Sequence, residues 1–145
     1  MFQRILVAVD ASPARHSAVR MAGEMARLTG GKVSVLHVVA SAATLAAVVP
    51  LEDDSEATTV LDEAVAVLRA AGVDAEGRIA DALTTQTATT IAAAAEEFEA
   101  DLLVLSPHRH GWLETLVNPR VSDTVAHIGR TAVLLAPHDE AAGRS

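Results

Sequence analysis

At 145 residues the chain suits one domain with a sizeable core, expected over residues 1–138, followed by a polar, disordered tail at 139–145. Half of the residues are apolar but only 2% are aromatic, so the core must be aliphatic, and the lack of cysteine excludes disulfides and thiolate chemistry. A formal net charge of −8 repels nucleic-acid phosphates and anionic lipid, which argues against both as partners.

The first segment, "RILVAVD", is an apolar run with β-branched residues bounded by charge, the pattern of a buried strand. Charges at Arg4 and Asp10 come too early for a signal-peptide core or a membrane span, so the expected location is cytoplasmic. A helix follows, with Ser12 as N-cap and Pro13 at its first position. Ala18, Val19, Ala22, Met25 and Ala26 recur at helical spacing before Gly30–Gly31 stops it. "KVSVLHVVA" predicts a second strand, and Ser41 to Asp54 reads as a loop without periodicity. Ser55 to Ala71 predicts a helix with Leu61, Ala64, Val65 and Leu68 inward. "VDAEGRIA" is a shorter, more polar strand, expected near an edge. Thr84 to Glu99 predicts a third helix with Ile91, Ala94, Ala95 and Phe98 inward. "DLLVLS" is a fourth strand, Val121 to Ile128 a last helix, and "TAVLLAP" a fifth strand.

Strands that are nearly all apolar and alternate with helices imply a parallel sheet covered on both faces. Right-handed crossovers make it an α/β doubly wound fold. Ligands in such folds sit beyond the carboxyl ends of the strands, where the strand order reverses. That brings Asp10 to Ser12, the residues after Val38 and the loop from Ser106 to one crevice.

Three stretches carry a resemblance: "ILVAVDASPARHSAVRMA", "VSVLHVV" and "ADLLVLSPHRHGWLETLVNPRVSDTVAHIGRTAVLLAP". Together they resemble the universal stress protein family over nearly the whole chain. The resemblance implies a five-stranded sheet in the order 3-2-1-4-5, related to the adenine-nucleotide alpha-hydrolase-like folds. Members that bind ATP carry glycine, two residues, glycine, nine residues, glycine, then serine or threonine. With the register set by Leu113 and by Val121–Ser122, these positions fall on Ser106, Arg109, Pro119 and Arg120, and none matches. Residues with a Cβ do not take positive φ cheaply, and proline has no N–H to offer a phosphate. Each lost charge-assisted hydrogen bond is worth roughly 1.5–3 kcal/mol. Losing two weakens binding on the order of a hundred-fold or more. Asp10 does match, at the position that faces adenine and ribose in the family, and Ala8, Val38, Val121 and Ser122 fall on pocket-lining positions. The chain thus resembles the degenerate-loop branch that does not bind ATP.

Asp10 reads equally as a ligand-contacting acid or as a helix N-terminal acid held by backbone N–H groups. Arg109 and Arg120 form either an anion clamp or loop salt bridges to Glu114 or Asp123. His108 and His110 read as a solvated loop and no metal site is expected, while His37 reads as a core or crevice histidine. Thr84 to Thr90 reads as an exposed helix face, and Trp112 as local packing or a partner surface. No nucleophile and base stand in a recognisable context, so the expected function is a non-enzymatic regulatory protein with an unidentified protein client and no cofactor. The alternative is weak binding of ATP, AMP or another adenine nucleotide through Asp10 and a remodelled loop. The last strand, with Thr131, Ala132, Val133, Leu134 and Leu135, carries no charge at a sheet edge and is the expected homodimer strand, as the resemblance also implies.

Overall fold

The structure, a computed structural model, describes residues 1–9, 15–43, 48–50, 54–83, 87–106 and 131–136. Six strands and three helices lie in this part: β1 (Arg4–Val9), α1 (Arg15–Thr29), β2 (Lys32–Ala43), β3 (Val48–Pro50), α2 (Asp54–Ala70), β4 (Ala75–Leu83), α3 (Thr87–Phe98), β5 (Leu102–Leu105) and β6 (Ala132–Leu135). The five parallel strands run β4-β2-β1-β5-β6 across the sheet. Counted along the chain as the five expected strands, this is the order 3-2-1-4-5.

Alternation along the strands divides the core in two. Ile5, Val7 and Val9 of β1 face α1 and α2, where they meet Val33, Val35, Val104, Ala22 and Leu68. Leu6 and Ala8 face the other way and meet Leu36, Val38, Leu103 and Leu105 under Ile91, Ala95 and Phe98 of α3. β1 is buried on both faces, which is why "ILVAV" shows no polar alternation. The inward faces read from helical spacing are buried as expected, except that Met25 is only half-buried. α1 and α2 both end in a glycine with positive φ, Gly30 at 74° and Gly72 at 83°, the left-handed conformation that closes a helix C-terminus.

At the amino ends of the strands the carboxylate of Asp101 accepts the backbone N–H groups of Gln3 (2.9 Å) and Arg4 (3.1 Å), pinning the start of β1 beside β5. Arg4 lies over the Phe98 ring at 4.5 Å and donates through Nε to the Phe98 carbonyl, so this helix end is held by a cation as well as by packing.

Ser41 to Asp54 departs from the expected loop. β2 runs on to Ala43, and Val48–Pro50 forms the short strand β3, antiparallel to it, with Ser41 opposite Pro50 and Ala43 opposite Val48. β4 is also longer than expected, reaching Leu83, because β2 continues beside it as far as Ser41. Hydrophobic periodicity misses three residues of alternating neighbourhood, and a terminal proline is compatible with an edge strand. The last expected helix (Val121–Ile128) and the tail lie outside the described residues.

Candidate functional site at the carboxyl ends of the strands

The strand order reverses between β2-β1 and β1-β5, so the crevice opens above the carboxyl ends of β1, β2 and β5. Register fixes who meets there. Ala8 stands beside Leu36 of β2 on one side and Leu105 of β5 on the other. Val38 lies one residue past the last β1–β2 pair, Val9 with His37. Ala8, Val38 and Ser106, expected from the sequence to share this crevice, are therefore brought on three adjacent strands to the level at which β1 and β5 end, and all three are buried. Asp10, Arg109, Arg120, Val121 and Ser122 lie outside the described residues, as do Ser12, Pro13, His108, His110 and Trp112.

β3 adds a wall that sequence reasoning missed. Ser41 pairs with Leu83 of β4 along one edge of β2, so its pairing with Pro50 uses the other edge, which β1 holds lower down. β3 therefore stands beyond the carboxyl end of β1, at the mouth of the crevice. The two valines ahead of Pro50 were the available signal.

Ser106 is 2% exposed, immediately after β5, and its hydroxyl has no hydrogen-bond partner among the described residues. A buried hydroxyl left unpaired costs roughly 1–3 kcal/mol. His37, fully buried at the end of the β1–β2 ladder, faces the α1 and α2 layer like Val9 and makes interactions of its own. That matches the core reading of this histidine. Among the described residues no group of three or more His, Asp or Glu side chains is placed to hold a metal ion.

The strand that ends the sheet on this side is held from below. Thr131 donates its hydroxyl to the Ala100 carbonyl at 2.7 Å, and the backbone N–H of Ala136 donates to Leu105 at 2.8 Å. Between them β6 exposes Val133 and Leu135, each 46%, while Leu134 packs half-buried against the core.

A model of the universal stress protein family matches residues 1–137. The chain belongs to the universal stress protein family. Similar solved structures have the same architecture. One from Burkholderia pseudomallei, also of this family, is 26% identical with a TM-score of 0.67, covering 94% of this chain and 96% of that one. The universal stress protein from Archaeoglobus fulgidus in complex with dAMP is 25% identical with a TM-score of 0.64, covering 94% of this chain and all (100%) of that one. A universal stress protein in complex with cAMP, 24% identical with a TM-score of 0.67 over 95% of this chain and 98% of that one, shares the fold. Among curated proteins none matches the chain significantly. Among the described residues of this universal stress protein no helix is long and apolar enough to cross a membrane.

Proposed function

We propose that this chain is a regulatory member of its family, a non-enzymatic cytoplasmic homodimer that acts on a protein client and does not hold ATP with useful affinity. The observation that carries this reading is the occupation of all four phosphate-motif positions by Ser106, Arg109, Pro119 and Arg120. Three positions where ATP-binding relatives place glycine carry side chains, and one of those is a proline without an N–H. The dimer rests on β6, whose exposed Val133 and Leu135 sit on an open ladder at the edge of the sheet. Antiparallel pairing of two copies about a two-fold axis covers both.

Thermal unfolding with ATP and Mg²⁺ tests the first part. A ligand at 100-fold over its dissociation constant adds roughly 2.7 kcal/mol of stability, so a binder shifts its melting temperature by several degrees. No shift at millimolar ATP is expected. A low-micromolar dissociation constant by calorimetry overturns the reading.

One observation favours a second reading. A structure 25% identical to this chain was solved with dAMP. In this alternative a smaller adenine nucleotide enters over Ala8 and Val38, with Asp10 on the nucleoside, and Arg109 and Arg120 replacing backbone amides as anion ligands. The buried Ser106 hydroxyl is a further donor for the same anion. Asp10→Ala should then abolish AMP binding measured by calorimetry; unchanged affinity assigns the nucleotide elsewhere.

A further inference from the structure

α3 covers only part of its face of the sheet. It packs on β1 and β2 through Ile91, Ala94, Ala95 and Phe98, and of β4 Ala80 alone among the described residues reaches this cluster, half-buried. A groove of about 490 Å³ remains between α3 and β4, lined by Leu36, Arg78, Ala80, Ala93, Ala94 and Glu97 among others. Its apolar lining is Leu36 and the small side chains of Ala80, Ala93 and Ala94. Alongside it β4 offers nine residues of extended backbone, Ala75–Leu83, paired with β2 alone among the described residues. A free ladder next to a helix-walled groove suits an added strand: backbone hydrogen bonds supply affinity, and alternate side chains supply specificity.

The charges on β4 select the occupant. Arg78 is already held by Glu97 at 3.0 Å. Glu76 and Asp81 are exposed and make no ion pair among the described residues, and between them lie the exposed Ile79 and the groove residue Ala80. A second copy fits badly. Antiparallel self-pairing about Ile79, the strand centre, sets Asp81 opposite Gly77 and Glu76 opposite Ala82, so neither carboxylate meets a cation, and a one-residue shift of the centre sets Arg78 opposite Arg78; like charges facing each other across a ladder are destabilising. We propose that the β4 edge and the α3 groove bind an extended segment of a partner protein, with two apolar residues flanked by lysine or arginine five positions apart. That spacing matches Glu76 and Asp81, about 17 Å apart along an extended strand. This site is separate from the crevice and does not depend on the nucleotide or dimer readings.

The test is titration of the full-length protein with a blocked eight-residue peptide: two central valines, lysines five positions apart around them, and threonine elsewhere. Its symmetric sequence tests both strand directions. Amide chemical-shift changes and slowed exchange should fall on β4 and α3, with no change at Ala8, Val38 or β6. The double variant Glu76→Lys/Asp81→Lys, both at exposed positions, should weaken binding about tenfold or more at low salt. Ala93→Trp, which fills the groove from the helix, should weaken it independently of charge. The proposal is overturned by no binding at millimolar peptide. It is also overturned if the peptide with glutamate for lysine binds as well, if charge reversal has no effect, or if the shifts map to β6 or the crevice.

Discussion

The two edges of the sheet are opposite in kind. β6 is four residues long, uncharged, and exposes Val133 and Leu135. β4 is nine residues long and carries Glu76, Arg78 and Asp81 among its exposed residues. An apolar edge without charges is an aggregation hazard unless a matching edge covers it, whereas charges on an edge forbid most partners and leave the complementary ones. On the two proposals made above, the same sheet offers one edge to a copy of itself and the other to a different partner. The layers behind the edges differ too. α2 presses on β4 so closely that a Cβ on Gly77 would stand 2.9 Å from Leu61 and 3.0 Å from Val65, while on the opposite face α3 leaves the groove open.

Five substitutions test this contrast. The largest effect is expected from Val133→Lys, which sets like charges face to face across a β6–β6 ladder. Light scattering should then find a monomer where the unmodified protein is a dimer. Val133 is the better site than Leu134, which is half-buried against the core and whose loss would also unsettle the fold. An unmodified protein that is monomeric at micromolar concentration removes the interface altogether.

Gly77→Val comes next. The added atoms must displace Leu61 and Val65, an overpacking that costs about 1–3 kcal/mol in chemical denaturation. Ala80→Val, on the groove face of the same strand, should cost much less, and equal losses would show that the two faces are covered alike. Thr131→Val removes the hydroxyl that holds the start of β6 to the Ala100 carbonyl. It should lose about 1 kcal/mol and speed amide exchange in β6 ahead of the other strands. The smallest effect belongs to Arg78→Ala. Its bridge to Glu97 joins side chains that are 48% and 66% exposed, so the loss in melting experiments should stay within about 0.5 kcal/mol.

Much of this fold follows from local pattern alone. Continuous apolar runs identify the parallel strands, and period-3.6 spacing of aliphatic residues the inward faces of three helices, since a strand covered on both faces and a helix covered on one must each match their pattern to that burial. The replacement of the phosphate-motif glycines is equally a property of the sequence, because a Cβ or a missing N–H is chemistry that no packing restores. The tertiary structure decided the rest. β3 exists because β2 outruns β1 and leaves an unpaired edge at Ser41 to Ala43, a fact about neighbours that three residues of sequence cannot encode. Gly77 reads as a weak point in a polar strand until α2 lies on it. Ser106 reads as a loop residue until the fold buries it just past the end of β5. The groove beside β4 depends on where α3 crosses the sheet, and helix periodicity reports which face turns inward but not how many strands that face will cover.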